Sequence, residues 1–116
     1  MTRPPPFAVV VQKCPADFPP PKYFEELQRR IGRAFPKCSR HVVERSSLTA
    51  RDLLKVLKQT GARFVVRIIG STAALDETLT RRMAEYVTRH RLDYLFPLRF
   101  PLGFLPAEIV SRKALA

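Results

Sequence analysis

The stretch "RFVVRIIGS", Arg63 to Ser71, sets a guanidinium inside an apolar run and then breaks into a Gly-Ser turn. Strand-end turns of this kind are where α/β proteins usually hold phosphates and metal ions. Beyond Gly70, the hydroxyls of Ser71 and Thr72 could meet a phosphate or a sugar; Ser and Thr are also ordinary turn residues, and the turn is the simpler reading. Arg67 occupies an alternating position in the run. It either faces a ligand crevice or pairs with a carboxylate such as Glu108, and the pair is favoured because a buried guanidinium must be satisfied. Lys22, at the start of a helical pattern, could reach a phosphate or simply be solvated. His41 and His90 stand without a Ser or Cys partner that would make a nucleophilic pair. Cys14 and Cys38 form no CxxC pair and lack zinc spacing with either histidine, so free thiols are expected.

The elements that must position these residues alternate between strand and helix. "FAVVVQ" (7–12) is a β-branched apolar run suited to a buried strand. A loop-like stretch, "KCPADFPPPK", leads to Pro21, placed near the first position of a helix, with Glu25 and Glu26 expected in its first turn. Phe24, Leu27, Ile31 and Phe35 form its apolar stripe, and Pro36 ends it. "RHVVER" is a weaker strand. In "SLTARDLLKVLKQTGA", Thr49-x-x-Asp52 resembles a capping box, Ala50, Leu53, Leu54 and Leu57 line one face, and Gly61 supplies the stop. The strand at 64–69 follows, then a helix capped by Asp76 with Leu79, Met83, Tyr86 and Val87 facing inward. "LDYLF" and "AEIV" read as short strands around a proline-punctuated loop, "PLRFPLGFLP", and "SRKALA" as a helix begun at Ser111. This order implies one α/β domain over residues 1–116, a largely parallel sheet flanked by helices, and the helix broken off after one turn suggests a fragment or N-terminal portion of a longer protein.

Charge bounds the partners. The 116 residues carry 21 Lys+Arg against 10 Asp+Glu, a net charge of +11, which favours encounter with polyanions. Nucleic acid is therefore one candidate partner, with Arg-rich helices at 29–33 and 81–91, although no recognition motif is present. A solvated basic face, or a partner chain with an acidic surface, would fit the same charge. No apolar run reaches the roughly 20 residues that span a bilayer, and prolines interrupt the N-terminal pattern of a signal peptide, so the expectation is a cytoplasmic protein. Phe96, Phe100 and Phe104 could form a stacking platform, core plugs or a protein-contact surface on the loop at 97–106.

Residues 61–115 resemble the cytidylyltransferase-like family, relatives of the acylneuraminate cytidylyltransferases with the nucleotide-diphospho-sugar transferase fold, especially those of spore-coat polysaccharide biosynthesis. The resemblance rests on "GARFVVRIIGSTAALD", a helix, "LDYL", and "FPLGFLPAEIVSRKAL", in the family's order and approximate spacing. It implies a truncated version of that fold and, were the chain active, a nucleotidyltransferase. By the same resemblance, Gln12 ends the first strand and Lys13 opens the loop that in the family wraps the nucleotide, with Lys22 near its final turn. Gln12, Lys13, Lys22, Arg67, Gly70 and Ser71 are then the candidate contacts for a nucleotide or nucleotide-sugar. The departures fall on the chemistry. Lys13, Cys14, Pro15, Ala16 and Asp17 replace most of the family's glycines, serine and arginines, and prolines remove phosphate-binding N–H groups. The family holds Mg²⁺ with aspartates where this chain has Ser71 and, before "AEI", Leu105 and Pro106. A hard cation needs carboxylate oxygens. The expectation is therefore a shortened, degenerate domain with no catalytic residues and no bound cofactor, accessory to nucleotide-sugar or cell-envelope polysaccharide metabolism. A small basic nucleic-acid-binding module and a protein-interaction domain using the 97–106 loop are the alternatives.

Overall fold

The structure is a computed structural model that describes residues 5–13, 21–44, 48–69, 75–95 and 107–116. Its elements run β1 (Phe7–Lys13), α1 (Pro21–Ala34), β2 (Ser39–Glu44), α2 (Ala50–Thr60), β3 (Phe64–Ile69), α3 (Glu77–His90), β4 (Tyr94–Leu95), β5 (Glu108–Ser111) and α4 (Arg112–Leu115). The strands form one sheet in the order β2-β1-β3-β5-β4. β1 pairs in parallel with both β2 and β3, whereas β5 is antiparallel to β3 and to β4. The sheet is thus mixed, not largely parallel as expected. Parallel neighbours need a crossover, usually helical, that carries the chain back to its starting edge. The helices α1, α2 and α3 carry the chain between the first four strands in this way, all running in one direction; β5 alone runs the other way, setting Glu108 opposite Arg67 and Ser111 opposite Phe64.

Side chains alternate between the two faces of each strand. Val9 and Val11 of β1, with Val66 and Ile68 of β3 and Ile109 of β5, meet Leu27, Ile31 and Phe35 of the α1 region and Met83 and Val87 of α3. The opposite face is smaller: Ala8, Val10, Val65 and Val110 meet Leu53 and Leu57 of α2, with Leu115 of α4 packed alongside. Because both faces of β1 are covered, its sequence is a continuous apolar run and not an alternating one. At the amino end of the strands, the Phe7 ring stacks on Phe64 with centroids 5.5 Å apart and tilts against Phe35 at 5.8 Å. No helix among the described residues is long and apolar enough to cross a membrane.

The helix ends follow local chemistry. The Thr49 hydroxyl accepts from the Asp52 N–H (3.2 Å) while the Asp52 carboxylate accepts from the Thr49 N–H (3.0 Å), which completes the capping box. Gly61 closes α2 in the left-handed region at φ 74°, where a Cβ would be strained. Thr49→Ala is expected to cost about 1 kcal/mol, the usual worth of an N-cap hydroxyl, read as a shift of the urea midpoint at constant slope. Asp76 caps α3 by accepting from the Leu79 N–H at 2.9 Å. Ser111 ends β5 and caps α4, so strand passes into helix with no connecting residue. Its hydroxyl accepts from the Ala114 N–H at 3.0 Å and donates to Asp93 at 2.8 Å.

α1 and α3 lie side by side, joined by arginines. The Arg33 guanidinium donates Nη2–H to Glu77 Oε1 at 2.6 Å and Nε–H at 3.0 Å. That hydrogen bond holds the Glu77 carboxyl below its ordinary range. Arg30 donates to the Leu75 carbonyl at 3.1 Å, and Arg81 to the Arg33 carbonyl at 3.2 Å. Three local expectations change. Since α1 begins at Pro21, Glu25 and Glu26 lie beyond its first turn, and Glu26 instead accepts from Arg29 and Arg30. Ala50, at the solvated start of α2, is exposed. Tyr86 is 50 % exposed, not inward, since the buried stripe of α3 follows Thr80, Met83, Ala84 and Val87.

Candidate functional site

The carboxyl ends of β1 and β3 carry a polar ladder on the α2 side of the sheet. Gln12 shares a face with Val10, and Arg67 shares a face with Val65, both of which belong to the smaller core. Arg67 donates Nη2–H to the Gln12 side-chain oxygen at 2.9 Å and Nε–H at 3.2 Å. Its Nη1 donates to Glu108 Oε1 at 3.2 Å, across the antiparallel β3–β5 pair. The second oxygen of Glu108 accepts from the Tyr94 hydroxyl at 2.6 Å. Four adjacent strands are thereby crossed by one chain of hydrogen bonds: Gln12, Arg67, Glu108, Tyr94. The hydrogen bond to Glu108, followed by partial desolvation, pushes the Tyr94 hydroxyl up to about 12.

Both expectations for Arg67 bear on this ladder. It pairs with Glu108, as its alternating position suggested, and the pair is half-buried, with side-chain exposures of 28 % and 20 %. A guanidinium has five N–H groups. Three are committed here, to Gln12 and Glu108. The ladder can orient a polar group, but its positive charge is already answered by Glu108, so it is a weak trap for polyphosphate.

The other candidates are not gathered at this point. Lys13 reaches to the opposite face, its ammonium 5.0 Å from the centre of the Phe24 ring of α1 and 3.8 Å from Glu44. Lys22, exposed on the first turn of α1, lies over the Tyr23 ring at 5.1 Å. Gly70, Ser71 and Thr72 lie outside the described residues, as do Cys14, the segment 14–20, Leu105, Pro106 and the phenylalanines of the 96–106 stretch. His41 lies 3.2 Å from the Ser39 hydroxyl, and the His90 ring rests on Tyr86 with centroids 4.2 Å apart. Cys38 is free, and burial pushes its thiol up. Among the described residues, no group of three His, Cys, Asp or Glu could hold a metal ion.

Tyr94 is the member of the ladder that the sequence did not flag. Its link to Glu108 depends on the register of a two-residue strand, Tyr94 opposite Val110, and no local pattern encodes that register. A tyrosine flanking an antiparallel partner with a carboxylate two residues away is the signal that would have found it.

No family model matches the chain, and no curated protein matches it. Among solved structures it is similar to a cytidylyltransferase from Leptospira borgpetersenii serovar Hardjo-bovis, with a TM-score of 0.64 and 14 % sequence identity. The superposition covers 95 % of this chain and 62 % of that one, so the chain spans less than two thirds of the solved protein's length. The chain thus shares the α/β fold of that cytidylyltransferase, here a five-stranded mixed sheet with helices on both faces.

Proposed function

We propose that the chain is a degenerate cytidylyltransferase-like domain that offers a nucleotide or nucleotide-sugar crevice without transfer chemistry, accessory to polysaccharide metabolism. The observation that carries this reading is the commitment of Arg67 to Gln12 and Glu108 at the carboxyl edge. Nucleotidyl transfer develops charge on a phosphate and needs uncommitted donors and a cation to stabilise it. The magnesium ion of such chemistry requires carboxylate oxygens. In the ladder the carboxylate is Glu108, whose two oxygens already accept from Arg67 and Tyr94, and the sequence offers Ser71 and Leu105 where the resemblance calls for aspartates. This donor set does not fit the ion.

Isothermal titration with CTP, with and without Mg²⁺, tests the reading. The expected result is weak binding whose affinity is unchanged by the metal, with no pyrophosphate released on adding a sugar acid. Micromolar affinity that depends on Mg²⁺ overturns it.

A further inference from the structure

At the opposite, amino end of the strands lie two concavities that share Arg63 and Thr88 and so form one trough. The larger, about 1240 Å³, runs between the α1–β2 turn and α3 over an apolar floor that includes Phe7 and Phe35. The smaller, about 850 Å³, continues past the end of α3 to α4. Lys37, Arg63, Arg81 and Arg89 line the first, and Arg91, Arg112 and Lys113 line the second. Against these stand two carboxylates, Glu85 and Asp93, of which Asp93 already accepts from Ser111. None of the seven cations forms an ion pair with a carboxylate among the described residues. They come from the α1–β2 turn, the start of β3, α3 and α4, so the fold, and not one basic run, concentrates the charge.

Beside the trough, Arg82, Tyr86, Arg89 and His90 fall at helical spacings that put them on the outer bank of α3. Tyr86 is half exposed, and His90 lies against its ring. We propose that this trough and bank bind single-stranded nucleic acid, with phosphates along the arginines and a base stacked at Tyr86 and His90. Cations beside exposed aromatic faces are what a single strand requires. An acidic protein would use the charge but leave the Tyr86 platform without a role, and a bilayer would engage a flat or protruding face, not a concavity. The site is independent of the ladder at Arg67.

Fluorescence anisotropy with a labelled mixed-sequence RNA of about twelve nucleotides, on the full chain, tests it. Binding is expected at roughly 50 mM salt and should weaken steeply by roughly 200 mM. Arg89→Glu with Lys113→Glu, both exposed, should lower affinity at least about tenfold and flatten the salt slope by about 1.4, since two contacts at about 0.7 each are lost. Arg89→Gln with Lys113→Gln should act in the same direction, and Tyr86→Ala should cost about tenfold. Lys55→Glu with Lys58→Glu on α2 makes the same change in net charge and should cost less than about threefold, all variants keeping the far-UV spectrum of the parent. Three results overturn the proposal: no shift at low salt, equal losses from the α2 and trough variants, or displacement by polyglutamate as effective as by unlabelled RNA.

Discussion

Ile31→Ala is expected to destabilise the protein by about 3–4 kcal/mol and to lower its melting temperature by roughly 10–15 °C, measured by calorimetry or circular dichroism. Ile31 is fully buried in the larger core, on the face of α1 turned to the sheet. Truncation removes three carbons, each worth about 0.8 kcal/mol in transfer alone. A cavity penalty adds to this, because β1 and β3 behind the residue are held by their ladders and α1 is tied to α3 through Arg33 and Glu77. A loss of that size is a large part of the 5–15 kcal/mol that typically holds a domain folded. Val42 provides the contrast: it is a β-branched residue on edge strand β2 but 45 % exposed, so Val42→Ala should stay within about 0.5 kcal/mol.

The second large effect is expected at the ladder. Glu108→Gln removes the negative charge facing a half-buried guanidinium and leaves one acceptor oxygen where Arg67 and the Tyr94 hydroxyl now have two. The loss is expected at about 2 kcal/mol, below the 3–5 typical of fully buried pairs, since both side chains keep some contact with water. Arg67→Met combined with Glu108→Leu should recover part of it, because an apolar pair leaves no charge uncompensated. The same substitution has a spectroscopic readout. Tyr94 is held protonated up to about 12, and in Glu108→Gln its phenolate absorbance should appear at lower pH, towards 10. The sign for stability follows from proton binding. A hydroxyl whose value is higher in the folded state than in the unfolded chain stabilises the fold fully below 10, and that contribution fades as pH rises through 12. Tyr94→Phe should abolish this alkaline loss, and Glu108→Gln should reduce it, since the desolvation of the hydroxyl remains.

What could be read in the sequence was local. Thr49 with Asp52, Gly61, Asp76 and Ser111 each satisfy backbone groups within a few residues, so their types and spacing declare the helix ends. Arg67 was legible for a related reason. An alternating charged residue in a buried strand must meet a partner on the next strand, and Glu108 is there. Strand direction was not legible. "AEIV" announces a strand, but its antiparallel course is set by how the chain returns to the sheet, which periodicity does not record. Tyr86 was misplaced because it lies on the margin of the apolar stripe, where its hydroxyl and its contact with His90 favour the solvated side. Of the site, Gln12 and Arg67 come together, while Lys13, its immediate neighbour, departs because successive strand residues point to opposite faces.

Ser111 joins two elements stiffly. A serine that is at once the last rung of a strand and the first anchor of a helix leaves no swivel between them. A dye placed on α4 would therefore turn with the sheet as a stiff arm, and its tumbling would report that of the sheet.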